Sequence, residues 1–137
     1  MSQIKNEPPF DVTFTVFGEP ASKANSRRIV KFGNRLASIK SKKALSYADA
    51  FAMQCRSQMK GLVPTEDLVQ VEMIIYYASR RPDLDESLIL DCMQGLVYAN
   101  DRQVRKKMIY WGLDKERPRT VLRVSLLNEK VPDYLLV

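Results

Sequence analysis

The segment Val69–Tyr77, Val-Gln-Val-Glu-Met-Ile-Ile-Tyr-Tyr, constrains this chain most. It is rich in β-branched and aromatic residues and holds neither Gly nor Pro, the signature of a strand. Apolar residues at both parities predict a central strand covered on both faces. The remaining elements must be arranged around it. Residues 10–17 alternate, with Val12, Phe14 and Val16 on one face, and predict a second strand. Residues 28–32 and 35–39 predict a short basic hairpin across Gly33-Asn34. Residues 104–111 and 120–127 predict two more strands, the first ended by Arg117-Pro118. Residues 41–60 predict the main helix, N-capped by Ser41 and stopped by Gly61. Its expected apolar stripe is Leu45, Ala48, Ala52, Cys55 and Met59. A shorter helix is expected over 85–95, with Leu88, Ile89, Cys92 and Met93 inward. The order of elements predicts an α/β fold of α+β type, a single domain with a mixed sheet and two main helices, mainly on one side. At 137 residues one domain is expected. Residues 1–9 read as a flexible leader, 10–127 as the domain, and 128–137 as a tail whose Tyr134-Leu135-Leu136-Val137 is apolar enough to dock.

Several chemistries are excluded by what is missing. The chain has no histidine, so no imidazole base, triad or metal ligand exists within it. Its two cysteines, Cys55 and Cys92, form no Cys-x-x-Cys pair and cannot build a structural zinc site. They read as buried, reduced thiols. Any metal must therefore be held by oxygen, which points to Mg²⁺ or Mn²⁺. No stretch approaches the roughly 18 apolar residues of a membrane span. Residues 1–10, with Lys5, Glu7 and two prolines, do not resemble a signal peptide, so a cytoplasmic protein is expected.

The net charge of +6 is unevenly spread. Residues 21–48 carry eight bases (Lys23, Arg27, Arg28, Lys31, Arg35, Lys40, Lys42 and Lys43) and no acid. Residues 82–101 invert this with Asp83, Asp85, Glu86, Asp91 and Asp101 and no base. Arg80, Arg81 and Arg102 flank the acidic island, and Lys106 and Lys107 follow it. A basic body suggests a polyanionic partner. A nucleic-acid binder gains nothing from concentrated carboxylates, whereas a metal-dependent nuclease needs both signs of charge.

Asp83 and Asp85 stand two apart at a strand-to-helix junction, so both carboxylates can point the same way. Asp101 follows after a helix and a return turn, which is enough chain to bring it beside the pair. Asn100 and Glu86 could add further oxygens. Each also has a plainer role. Asp85 could cap the helix, Glu86 could face its dipole, Asn100-Asp101 could form a turn, and Asp83 could pair with Arg81.

The run Arg81-Pro82-Asp83-Leu84-Asp85, then Leu90 to Tyr98, then Asn100-Asp101-Arg102-Gln103-Val104, resembles the core signature of RusA-type Holliday-junction resolvases. The opening Phe14-Thr15-Val16-Phe17-Gly18-Glu19-Pro20 with Lys23, Arg27 and Arg28 is similar to their first strand and basic loop. The likeness spans about residues 12–127. It implies a small homodimeric α/β endonuclease that binds four-way DNA junctions and cuts two strands with Mg²⁺ or Mn²⁺. The resemblance makes Asp83, Asp85 and Asp101 the metal-binding and catalytic residues. The DNA-backbone contacts expected here are Lys23, Arg27, Arg28, Lys42, Lys43, Arg102, Lys106 and Lys107. The setting implied is a bacterial or phage-infected cell.

Two positions depart from the family pattern. Glu86 replaces an Asn, and Ile89 stands where the family carries a Lys. The start of this helix is also shortened. Lys23, Arg102, Lys106 and Lys107 are the candidates for the missing cation, which would steady charge developing on a phosphate. The alternatives are a non-catalytic branched-DNA binder on the same fold, or a basic structural or RNA-associated protein.

Overall fold

Residues 8–136 are described by the computed structural model. In chain order the elements are β1 (Asp11–Phe17), β2 (Arg27–Phe32), β3 (Arg35–Lys40), α1 (Lys42–Gln58), β4 (Val69–Tyr77), α2 (Ser87–Met93), β5 (Val104–Leu113) and β6 (Arg119–Leu126). Short 3-10 turns occupy Lys23–Asn25, Asp101–Gln103 and Asp133–Leu135. Residues 1–7 of the expected leader lie outside the described residues.

Four strands form one mixed sheet in the order β1-β6-β4-β5. β4 is central as predicted, antiparallel to β6 and parallel to β5. The parallel pair requires a crossover, which α2 and its flanking turns provide. Both helices pack on one face of the sheet. Ala44, Tyr47, Phe51 and Cys55 of α1 and Leu88, Ile89 and Met93 of α2 join Phe14, Val71, Ile75, Leu122 and Val124 in one core. The rings of Phe14 and Phe51 meet edge to face at 5.8 Å.

The expected two-sided cover of β4 is corrected. Val69, Val71, Met73, Ile75 and Tyr77 are buried, but Gln70, Glu72, Ile74 and Tyr76 are only half-buried. With both helices on one side, the second face is closed only by neighbouring side chains. Arg123 reaches Asp11 at 2.8 Å and Glu72 at 3.6 Å. The Arg119 guanidinium lies 4.2 Å from the centre of the Tyr76 ring. Gly112 in β5 makes room for that ring, since a Cβ there would stand 2.7 Å from Tyr76 Cδ1.

The α1 stripe is also corrected. Ser41 caps the helix as expected, its hydroxyl accepting from Ala44 N at 3.2 Å. However, Leu45 is exposed and Ala48 and Ala52 are half-buried. The helix turns instead to bury Tyr47 and Phe51, whose rings remove more apolar area from water than leucine and alanine do. Gln54 and Gln58 lie beside the outer edge of β1. Each side-chain amide both donates to and accepts from one strand residue, Phe17 and Thr15 respectively.

β2 and β3 form a separate two-stranded sheet with the predicted turn, Gly33 adopting a φ of 61°. The hairpin is anchored at its root. Ser41 Oγ donates to Asn25 O at 2.8 Å, and Lys40 pairs with Asp91 at 2.8 Å. Of the apolar tail, Tyr134, Leu135 and Leu136 are exposed rather than docked, and Val137 lies outside the described residues. No helix among the described residues is long and apolar enough to cross a membrane.

Candidate active site

The site forms where β4 ends and the chain turns over it. Tyr77, the last residue of β4, is buried, and its hydroxyl serves two backbone groups. It donates to Asp83 O at 3.1 Å and accepts from Asp85 N at 3.2 Å. Trp111 in β5 lies beside it, with ring centres 5.8 Å apart. Its indole Nε1 donates to Pro82 O at 3.1 Å. Two aromatic side chains on adjacent parallel strands thus hold the 82–85 backbone from beneath.

Asp85 is engaged from two directions. One carboxylate oxygen accepts from Ser87 N at 3.0 Å in a local turn just ahead of α2; the N-cap of that helix is Glu86, so the capping role foreseen for Asp85 is not the one it takes. The other accepts from Lys23 N, which ties the basic 3-10 turn to the acidic loop. Partial burial pushes this carboxyl up. The bonds from the Ser87 hydroxyl and amide and from Lys23 N, with the Lys23 charge, outweigh burial and hold it below the usual range. Asp83 is exposed, and among the described residues its carboxylate has no hydrogen-bond or ion-pair partner. Both acids line a cleft of about 790 Å³ shared with Glu19, Lys23, Lys43 and Arg81. Glu19 Oε2 accepts from Ala78 N at 2.9 Å.

Asp101 lies elsewhere. It opens a 3-10 turn capped by Asn100, and its N–H donates to Gln94 Oε1 at 3.0 Å. Asp85 is thus tied to the start of α2, and Asp101 to its end. Asp101 borders two smaller cavities of about 230 and 240 Å³, the first with Arg27, Lys40 and Asp91, the second with Arg105, Lys106 and Lys107. No three Asp, Glu or Cys side chains among the described residues converge as a metal-ligand group. Asp101 is not among the residues lining the cleft of the pair, but its first cavity reaches Ser87, whose N–H bonds to Asp85. The Asp83/Asp85 pair nevertheless fits a hard divalent cation. It offers only oxygen donors, one carboxylate is unengaged, and such ions take one or two carboxylates with water and phosphate.

The expected DNA contacts fall into three places. Lys23 and Lys43 line the Asp83/Asp85 cleft, and Lys42 begins α1 exposed. Arg27 and Arg28 lie on the hairpin, where the Arg27 guanidinium is bonded to Ser38. Arg102, Lys106 and Lys107 lie near Asp101, with Lys107 Nζ bound to Glu86 at 2.7 Å. Glu19, Tyr77, Arg81 and Trp111 were not singled out from the sequence as site residues. Two of them left a signal, Glu19 in the Gly-Glu-Pro loop after β1 and Arg81 at the flank of the acidic island and the head of the family run. Neither thiol belongs to the site: burial pushes Cys55 up and, with Asp91 adding to it, Cys92 to about 12.

Fold and cleft together define a small α+β protein whose cleft sets carboxylates among bases in a basic chain. The family model of the RusA endodeoxyribonucleases matches residues 18–125. That match covers most of the chain, which belongs to the RusA endodeoxyribonuclease family. No individual curated protein matches it.

Proposed function

We propose that the protein binds four-way DNA junctions and resolves them by paired phosphodiester hydrolysis, with Mg²⁺ or Mn²⁺ held by Asp83 and Asp85. One observation supports this above the rest. An unengaged carboxylate and a second held anionic by hydrogen bonds line one cleft with Lys23, Lys43 and Arg81. A bound divalent cation supplies Lewis-acid activation of water and neutralises charge at the phosphate. The bases of the cleft hold the DNA backbone, giving affinity that falls with salt and reads little sequence. Asp101, whose cavity includes Ser87 next to Asp85, acts on the same substrate as a third essential acid.

Ile89 is fully buried, so nothing at the family's Lys position reaches substrate. Of the four bases considered in its place, Lys23 lines the cleft with Asp83 and Asp85. Lys107 is engaged with Glu86, and Lys106 and Arg102 lie on the Asp101 side. Lys23 is therefore assigned to the charge developing on the phosphate. A C₂ homodimer would set two such clefts on opposed strands of a near-symmetric junction. The reading places the protein with DNA in the cytoplasm of a bacterial or phage-infected cell.

The test is cleavage of a labelled four-way junction against linear duplex, with Mg²⁺, Mn²⁺ or EDTA. Metal-dependent paired nicks confined to the junction are expected, lost in Asp83→Asn, Asp85→Asn and Asp101→Asn and reduced at least tenfold in Lys23→Ala. Tight junction binding without cuts in any metal would make the protein a binder on a nuclease fold. Unaltered cutting by Asp83→Asn would overturn the assignment of the metal site.

A further inference from the structure

The β2–β3 hairpin holds apolar side chains that the fold does not use. Ile29 is 73% exposed, Phe32 62% and Leu36 73%. An isolated two-stranded hairpin is at best marginally stable, and this one leaves its largest apolar groups in water. Phe32 stands beside the Gly33-Asn34 turn, opposite Arg35. Ile29 and Leu36 share the other face, opposite Ser38 and Lys31. Arg27, Arg28, Lys31, Arg35 and Lys40 are interleaved with them, and residues 27–40 contain no acid. The partner must therefore be anionic and must also offer apolar faces. Nucleic acid offers both, in its phosphates and its base planes. The root of the hairpin adjoins the candidate site, since Arg27 and Lys40 border a cavity with Asp101. Six-residue strands reach about 20 Å from that root, roughly the width of a duplex.

We propose that the hairpin tip enters the branch point of the DNA junction, Phe32 stacking on a base pair exposed on one side of it, with Ile29 and Leu36, on the opposite face of the hairpin, packing against the base pair on the other side. Arg28, Lys31 and Arg35 hold the flanking phosphates. This rests on the junction reading above and adds to it a source of structural preference. A linear duplex must be unstacked before an apolar wedge can enter, whereas stacking is already interrupted at a branch point. The wedge thus favours the junction, while the bases favour any DNA.

The test uses the full chain in EDTA, with a four-way junction carrying 2-aminopurine at the branch point. The wild-type protein is expected to change the 2-aminopurine fluorescence. The variant Ile29→Ser/Phe32→Ala/Leu36→Ser should abolish that change and lower the junction-to-duplex affinity ratio by about tenfold or more. These side chains are exposed, so the variant should keep the wild-type circular dichroism and melting temperature. A variant that keeps the fluorescence change and the affinity ratio, while the wild type still cuts junctions in Mg²⁺, overturns the wedge alone. A wild type that neither prefers nor cuts junctions overturns the junction reading and the wedge with it. Conversion of a wild-type dimer to a monomer by the variant, seen in sedimentation, would assign these residues to a second copy and also overturn the proposal.

Discussion

Tyr77 shows how one side chain can organise a site without facing it. Its ring is core, while its hydroxyl joins Asp83 O to Asp85 N and so sets the angle at which the two carboxylates leave the loop. Trp111 adds the Pro82 carbonyl. Tyr77→Phe keeps the packing and removes both hydroxyl bonds, so the folded state should lose about 1 kcal/mol. The Mg²⁺ or Mn²⁺ concentration for half-maximal cleavage should rise about tenfold, as when outer partners of metal ligands are removed. Trp111 is the only tryptophan, so its fluorescence can follow metal titration independently of cleavage. An unchanged titration midpoint in Tyr77→Phe would deny the residue this positioning role. The Tyr47 and Thr120 hydroxyls are different: both are buried and lie near each other, but neither makes a hydrogen bond of full geometry among the described residues. Tyr47→Phe should therefore be neutral or stabilising by up to about 1 kcal/mol in chemical denaturation.

At the scale of elements, β1 is an edge strand whose outer backbone is met by α1 at Thr15 and Phe17. Gln54 and Gln58, one helical turn apart, meet Phe17 and Thr15, which are two apart on the strand. Exposed edges invite pairing with other chains, and side-chain amides that occupy the edge prevent it. Replacing both glutamines with alanine should cost about 2 kcal/mol and increase self-association at high concentration. Light scattering alongside urea denaturation would read both effects. On the opposite edge, Gly112→Ala would push a methyl group into the Tyr76 ring. It should destabilise by about 1–3 kcal/mol through overpacking. The α1 stripe shows where periodicity reaches its limit. The pattern predicts a helix of the right length and cap, but its rotation depends on which side chains the sheet can accommodate.

For the whole molecule, three carboxylates couple the fold to pH. Hydrogen bonds from Arg119 and from the Arg117 and Glu116 amides hold the Asp114 carboxyl below its ordinary range. The Arg123 guanidinium does the same for Asp11. Asp85 is lowered by Ser87 and Lys23 against its partial burial. Each has a lower pKa folded than unfolded, so its contribution is complete above the unfolded value, about 3.9. It is lost as pH falls through the folded values. The melting temperature should stay level from pH 7 to about 5 and drop below about pH 4, with the drop reduced in Asp114→Asn. With no histidine, no imidazole titration should appear between pH 5 and 8.

Alternation, spacing and capping are local properties, and they suffice for most of this architecture. The central strand, the hairpin around Gly33, the Ser41 cap and the acidic island in a basic chain follow from neighbouring residues alone. The family likeness is legible for the same reason, since its signature is carried by short runs. What those runs leave open is set by contacts between residues far apart in sequence. Lys23 meets Asp85, Trp111 meets Pro82 and Glu19 meets Ala78 only because β4 and β5 run parallel and the loop after β1 folds over their ends. Asp101 lines a different cavity from the Asp83/Asp85 pair, one shared with Arg27, Lys40 and Ser87, with its own N–H tied to Gln94 at the end of α2. The reach of a carboxylate depends on the length and tether of the helix between, which residue spacing by itself does not contain.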